Sequence, residues 1–275
     1  MNSFTSAYVR DSWRRWLAWL LLAAVFAIAC AFLSQWQFNR RGEALAMIAI
    51  VEANYDRAPI PIDALAAKDS FNPMDEWRPA ALTGHFLIDD AVLVRNRPLN
   101  GQPGFLQLIP FATNSGRTFA VVTGWIPTGD KQDFPDTVPM PRSAATEIVA
   151  RIRPTEPSLN RDAPAQQIAT INIDSLIEKT QVSASTVRSF YLVAAEKYAS
   201  GNLPVLGARP QLTEGNHLSY ALQWILFAVM AFGALWWAIK QEIKMRRLAI
   251  DPSFKPKQRA KVGDRDNAAE DAATS

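Results

Sequence analysis

Two uninterrupted apolar runs dominate the hydropathy pattern of the chain. From Trp16 to Trp36 the only ionisable side chain is the Cys30 thiol, and from Leu218 to Ile239 there is no charged side chain at all. At about 1.5 Å of rise per residue, each run makes a helix of about 30 Å, one hydrocarbon thickness. The pattern therefore predicts transmembrane helices at 16–36 and 217–239. Trp13, Trp16 and Trp19 gather where the first run begins and Trp36 where it ends. Tyr220 and Trp224 mark one end of the second run, Trp236 and Trp237 the other. Such amphipathic rings favour the headgroup layer.

Between the runs the period changes. Leu45, Ile48, Val51 and Tyr55 recur at helical spacing, which predicts a helical stalk over 37–57 that Pro59 and Pro61 bring to an end. Beyond it the apolar stretches shorten to strand length. Residues 80–88 and 91–95, with Asp89-Asp90 as the turn, predict one hairpin; 104–111 and 117–126 around Asn114-Ser115-Gly116 predict another. Residues 146–152 and 189–194 are further strands, and Asp174 is placed to cap a short helix through Lys179. The prolines of 127–142 predict an extended surface loop, and 202–215 leads back to the second run. No internal repeat is visible. The expected architecture is a membrane protein in which two transmembrane α-helices flank an extracytoplasmic α+β domain, residues 37–216, dominated by antiparallel sheet.

Charge orients this scheme. Arg10, Arg14 and Arg15 against Asp11 leave residues 1–36 at +2; residues 37–216 hold 17 basic and 19 acidic side chains; residues 217–275 hold nine basic and six acidic. The basic excess lies beside the apolar runs, which by the positive-inside rule puts residues 1–15 and the tail 240–275 in the cytoplasm of a cell whose plasma membrane the chain crosses twice. The tail beyond Pro252 has no periodicity and is expected to be disordered. A basic excess confined to the edges of the apolar runs is no nucleic-acid stripe, so nucleic acid is excluded as a partner and the lipid bilayer is the expected one. Ala27-Ile28-Ala29-Cys30 faintly resembles a lipoprotein cleavage site, but the run continues to Trp36, beyond the roughly 7–15 residues of a signal h-region.

Catalytic patterns are missing. The chain has no GxSxG, Walker, GxGxxG or HExxH motif, and one cysteine and two histidines cannot build a disulfide, a CxxC pair or a His-based metal cluster. No enzyme is expected. Three features could carry binding chemistry, each with a plainer explanation. Arg40-Arg41 after the first run could meet lipid headgroups or a partner's acidic surface, or simply anchor the interface. Trp125 after Gly124 could be a docking surface, although a strand tryptophan is more often core. His217 opens the second run, where a partly desolvated imidazole can ligate iron, while position alone favours an interface anchor. His85, in a strand beside Phe86, is expected to be structural.

Several segments together resemble the Surfeit-locus-one family of cytochrome c oxidase assembly factors, bacterial type. They are Trp36-Gln37-Phe38-Asn39-Arg40, Leu82-Thr83-Gly84-His85-Phe86, Arg95-Asn96-Arg97-Pro98 with Gly104-Phe105, Val122-Thr123-Gly124-Trp125-Ile126-Pro127 and Asn216-His217-Leu218-Ser219-Tyr220-Ala221-Leu222-Gln223-Trp224. The last is the most specific. The resemblance covers most of residues 16–245 and implies a respiratory-chain chaperone that assists insertion or stabilisation of haem a in the catalytic subunit of a haem-copper oxidase. It implies transiently held haem a as cofactor and His217 as iron ligand with Tyr220 and Trp224 beside the macrocycle; Arg40 and Trp125 stay, from the residues themselves, the candidate partner contacts. The catalytic oxidase subunit is the expected partner, with haem a synthase as a further one. Thr123 stands where the family usually has arginine before Gly-Trp, which weakens any role for that strand edge. The competing reading is a non-catalytic membrane-anchored envelope sensor or scaffold. An outward-facing hydrolase is poorest, for want of a nucleophile-base pair.

Overall fold

The structure is a computed structural model that describes residues 3–66, 70–130, 133–142, 145–159, 161, 163–182 and 185–250, with the side chains of the first helix described from Ser12 onward. The expected disordered tail beyond Pro252 lies outside the described residues. The chain divides into two units, one of residues 1–42 with 215–275 and one of residues 43–214.

The first unit is a helix pair. Helix α1 runs unbroken over Ser3–Asn54, and only its part up to Gly42 belongs here; its partner α4 covers His217–Ile250. Both are long and apolar enough to cross a membrane. They are antiparallel: Arg15 and Trp16 meet Glu242, Ser34 meets Ala221, and Gln37 meets His217. The buried positions of α1 up to Gly42, among the described side chains, are small, Ser12, Ala23, Cys30 and Ser34, and that of α4 is Ala221. Spacings of 11, 7 and 4 put the α1 set on one helix face. Leu22, Phe32, Val229 and Trp237 are among the many large side chains left exposed, as expected of a lipid-facing surface.

The second unit is built on an eight-stranded mixed sheet. Its strands are β1 (Ile60–Pro61), β2 (Pro79–Phe86), β3 (Val92–Val94), β4 (Gly104–Thr113), β5 (Thr118–Pro127), β6 (Thr146–Pro154), β7 (Gln167–Ile168) and β8 (Phe190–Ala194). Helices α2 (Ile62–Leu65) and α3 (Ile173–Lys179) are short. The pairing β2–β6–β8–β5–β4 returns to β2, so five strands close into a ring. Phe86, Phe111, Phe119, Ile148, Phe190 and Leu192 fill its interior. Alternate side chains face outward, where Val92, Leu108, Ala120, Val122 and Tyr191 pack under Ile173 and Leu176 of α3. Both faces of β4 and β5 are thus covered, and these strands are apolar almost throughout.

Several expectations need correction. The sheet is mixed, since β1–β2, β3–β7 and β5–β8 pair in parallel. The first predicted hairpin does not exist: β2 and β3 both pair with β4, one at Phe111–Thr113 and the other at Leu106–Leu108. A single turn of 3-10 helix at Ile88–Asp90 steps the chain along that edge, with Leu87 N–H donating to Pro110 O (2.8 Å). Two aspartates offer no ready pair of positive-φ residues for a tight hairpin turn. The second hairpin, β4–β5, forms around Asn114–Gly116, with a bulge at Gln107/Leu108. The 127–142 loop is no free surface excursion either. Phe134 and Val138 pack on Leu93, Phe105 and Ile126, and Gln107 Nε2 donates to Pro139 O (2.9 Å). The cap of α3 is Asn172, which accepts from Ser175 N–H (3.0 Å), and Asp174 lies in the first turn.

Candidate functional site

In the helix pair, His217 begins α4 and Tyr220 and Trp224 follow at i+3 and i+7, along one face. The imidazole is half-buried. Its Nδ1 lies 2.8 Å from Gln37 Oε1, an acceptor, so the contact suits the tautomer that donates from Nδ1 and turns Nε2 away from Gln37. Gly215 (φ 65°) flanks that nitrogen, and a Cβ there would come within 3.5 Å of Nε2. A histidine held through one ring nitrogen could offer the other to a metal. Trp224 packs edge-on against Phe227 at 5.8 Å and is half-buried, whereas Tyr220 is exposed. Arg40 is exposed on α1, one turn beyond Gln37. The donor set therefore fits a single-histidine haem site, with Gln37 orienting His217. Among the described residues no group of three or more His, Cys, Asp or Glu side chains could hold a bare metal ion.

Trp125 belongs to the other unit and is core, 7% exposed, its Nε1 donating to Arg97 O (2.5 Å). Thr123, where arginine was expected, is buried and donates to Gln107 Oε1 (2.5 Å), closing the bulge from inside. His85 is an exposed strand residue paired with Ala112.

A second constellation in this unit escaped the sequence reading. Arg97 grips Glu156 with both terminal nitrogens, Nη1 at 3.0 Å from Oε1 and Nη2 against Oε2. The same carboxylate accepts Ile171 N–H (2.9 Å). Burial would raise the Glu156 carboxyl, but the Arg97 and Ile171 bonds and the charges of Arg97 and Arg153 outweigh it and hold its pKa below the ordinary value. Because the folded state holds the proton less tightly, the pair's stabilisation is present above pH 4.5 and fades as the pH falls through the depressed pKa. Glu156→Gln should thus cost about 1–3 kcal/mol at pH 7. The loss should shrink as melts move below pH 4.5, checked by tryptophan-detected unfolding across pH. A penalty that does not change with pH would contradict the assignment. Nothing in the spacing of Arg97 and Glu156, 59 residues apart, announces this pair.

Residues 24–229, which run from α1 through the strand ring into α4, match the model of the SURF1 family. The chain belongs to the SURF1 family. It is 32% identical over 239 residues to an uncharacterized SURF1-like protein of Mycobacterium bovis, covering 84% of this chain and 86% of that one. It is 28% identical over 143 residues to the cytochrome oxidase assembly protein SHY1 of Saccharomyces cerevisiae, covering 49% of this chain and 36% of that one. It is 26% identical over 233 residues to Surfeit locus protein 1 of Xenopus tropicalis, 76% of this chain and 71% of that one. The SURF1 match takes in Gln37 on α1 and His217 on α4, as well as the whole ring of strands.

Proposed function

We propose that this SURF1 protein is a non-catalytic assembly factor for haem-copper cytochrome c oxidase. It assists insertion or stabilisation of haem a in the catalytic subunit and holds the haem in passing at His217. The supporting observation is membership of a family whose yeast relative carries cytochrome oxidase assembly in its name. The geometry at His217 adds to it: Nδ1 contacts Gln37, which fixes the ring, and Gly215 places no Cβ beside Nε2. When bound there, haem would supply an iron centre that the His217 imidazole could ligate. The exposed Tyr220 and the half-buried Trp224 offer aromatic surface on the same helix face. The catalytic oxidase subunit is the partner, with haem a synthase as the donor. The helices lie in the plasma membrane, and both ends are cytoplasmic because the arginines and lysines collect there.

Two measurements test this. A deletion strain should lose most of its haem a absorbance and oxidase turnover, while other respiratory complexes persist; an unchanged oxidase spectrum would remove the assembly role. Protein purified in detergent after co-expression with haem a synthesis should carry a haem spectrum. His217→Ala should lose it by about tenfold or more, and Gln37→Ala by less, as befits an outer partner. Equal haem in the native and His217→Ala proteins would remove His217 from the site.

A further inference from the structure

The outward face of the strand ring carries a cavity of about 450 Å³, lined by residues of the sheet unit alone and independent of His217. Val122, Tyr191 and Val193, from the neighbouring strands β5 and β8, form its apolar wall, with Trp77 and Trp125 beside them. Arg153 of β6, opposite Tyr191 of β8, also lines it, as does Arg97 from the stretch between β3 and β4. Trp77 stands there with φ 66°, left-handed backbone that a bulky side chain rarely adopts, so its surroundings hold it in place against its own preference.

Donors and acceptors at this cavity do not balance. Both oxygens of Glu156 are used: Oε1 accepts from Arg97 Nη1, and Oε2 from Arg97 Nη2 and Ile171 N–H. The Nε–H groups of Arg97 and Arg153 are buried and have no acceptor among the described residues. Arg153 Nε lies 3.1 Å from Glu76 Oε1, near enough for the charges to attract but not aligned as a hydrogen bond. The Arg153 guanidinium sits 4.2 Å above the Trp77 ring, which fixes its plane. Its side chain is 29% exposed, and among the described residues its Nη nitrogens have no acceptor either. Native proteins rarely leave such donors unused, because taking them from water without a partner is unfavourable. What the cavity lacks is a pair of acceptors.

A cationic ligand would meet two guanidinium groups and find both Glu156 oxygens taken. A neutral carbonyl brings one acceptor and leaves the planar fork of Arg153 half used. A carboxylate matches that fork with two oxygens, and one guanidinium can hold carboxylates on two different edges, so Glu76 and Glu156 keep their places. Tryptophan and tyrosine rings with aliphatic neighbours require the rest of the ligand to be apolar and favour an aromatic body. We propose that this cavity binds a small aromatic carboxylate, its rings against Trp125, Tyr191 and Val193 and its carboxylate on the Nη nitrogens of Arg153.

4-Benzoylbenzoate, itself an aromatic carboxylate and a photo-crosslinker, probes this in the full-length protein in detergent, with neutral 4-benzoylbenzamide as its matched control. Irradiation should place adducts on peptides carrying Trp125, Tyr191 or Val193, about tenfold more with the carboxylate than with the amide, the discrimination expected of a charge-assisted pair. 2-Naphthoate should compete with them, and 2-naphthamide should not. Arg153→Gln removes the fork and should reduce the adducts about tenfold, whereas Arg153→Lys, which keeps only the charge, should retain part of them. Tryptophan-detected melts show whether each variant is folded. Where Arg153→Gln does not melt cooperatively, Val193→Phe decides, because it fills the cavity, leaves Arg153 in place and should abolish the adducts. The proposal is overturned by equal labelling with the amide, by adducts confined to α1 and α4, by full labelling of a folded Arg153→Gln, or by full labelling of Val193→Phe.

Discussion

Gly84→Ala should prevent the strand ring from closing. Gly84 is where β2 changes partners: it pairs with Thr146 of β6 on one side and with Thr113 of β4 on the other. Two strands can share one residue only if their backbones come unusually near. A Cβ at position 84 would stand 2.0 Å from Ala112 O and 2.8 Å from Thr113 Cα, both backbone atoms that cannot rotate away. Relief requires β4 to shift, and with it Phe111, which packs against Phe86 across the same junction at 5.0 Å between ring centroids. The expected cost is on the order of 4 kcal/mol or more, within the range that removes most of a domain's margin. Gly116→Ala is the matched control. That glycine has φ 84° with nothing within 4 Å, so alanine meets only the backbone penalty of about 1–2 kcal/mol. Limited proteolysis and tryptophan-detected melts should give Gly116→Ala a modest shift and Gly84→Ala rapid cleavage between residues 60 and 200. Comparable melts for the two would contradict the crowding described.

The sequence signals that could be read are those whose physics is local. An apolar run without charge is a statement about solvent, so both long helices were visible from composition and length. Alternation marks a residue as belonging to a strand, and β4, β5, β6 and β8 were recognisable for that reason. Alternation does not say which strand lies alongside. Pro79 pairs with Arg151, 72 residues on, and Val121 pairs in parallel with Leu192; neither partnership leaves a turn signature between the strands. Placing β2 and β3 in one hairpin followed from treating Asp89-Asp90 as a turn, when β4 was long enough to take both.

The site divides in the same way. His217 is conspicuous because a histidine at the edge of an apolar run is chemically odd, whereas a glutamine such as Gln37 beside a span carries no signal of its own. Their 2.8 Å contact depends on how α1 and α4 are staggered, which no spacing within either helix encodes. Arg97, Arg153 with Glu156, Glu76 and Tyr191 come from four separate stretches of chain and meet only because the ring closes. Arg97 carried a family resemblance without any stated role. Its partner Glu156 lies just beyond β6, in a stretch that no spacing ties to position 97.

The stagger that joins His217 to Gln37 makes the second large effect predictable. In lipid, apolar side chains gain little by leaving one another for the bilayer, so helices associate through close backbone approach and hydrogen bonds at small residues. Ala221 is fully buried, and Ser34 Oγ donates to its carbonyl at 3.0 Å. Leucine there adds three carbons where the opposite wall is Ser34 and the helix backbone. Ala221→Leu should therefore open the pair at this level, break the Ser34 bond and, one turn away, separate His217 from Gln37. Cysteines introduced at 37 and 217, with Cys30→Ser to remove the native thiol, should join under a short bismaleimide in the parent. Adding Ala221→Leu to that parent should reduce the cross-linking about tenfold, equivalent to about 1–2 kcal/mol of lost packing. Leu222→Ala, on the exposed face, should leave it unchanged. With His217 and Gln37 native, Ala221→Leu should lower co-purified haem about as far as Gln37→Ala does, and less than His217→Ala. Loss of cross-linking with full haem retention would mean that His217 binds without Gln37 to orient it; unchanged cross-linking would mean that Ala221 does not set the helix spacing.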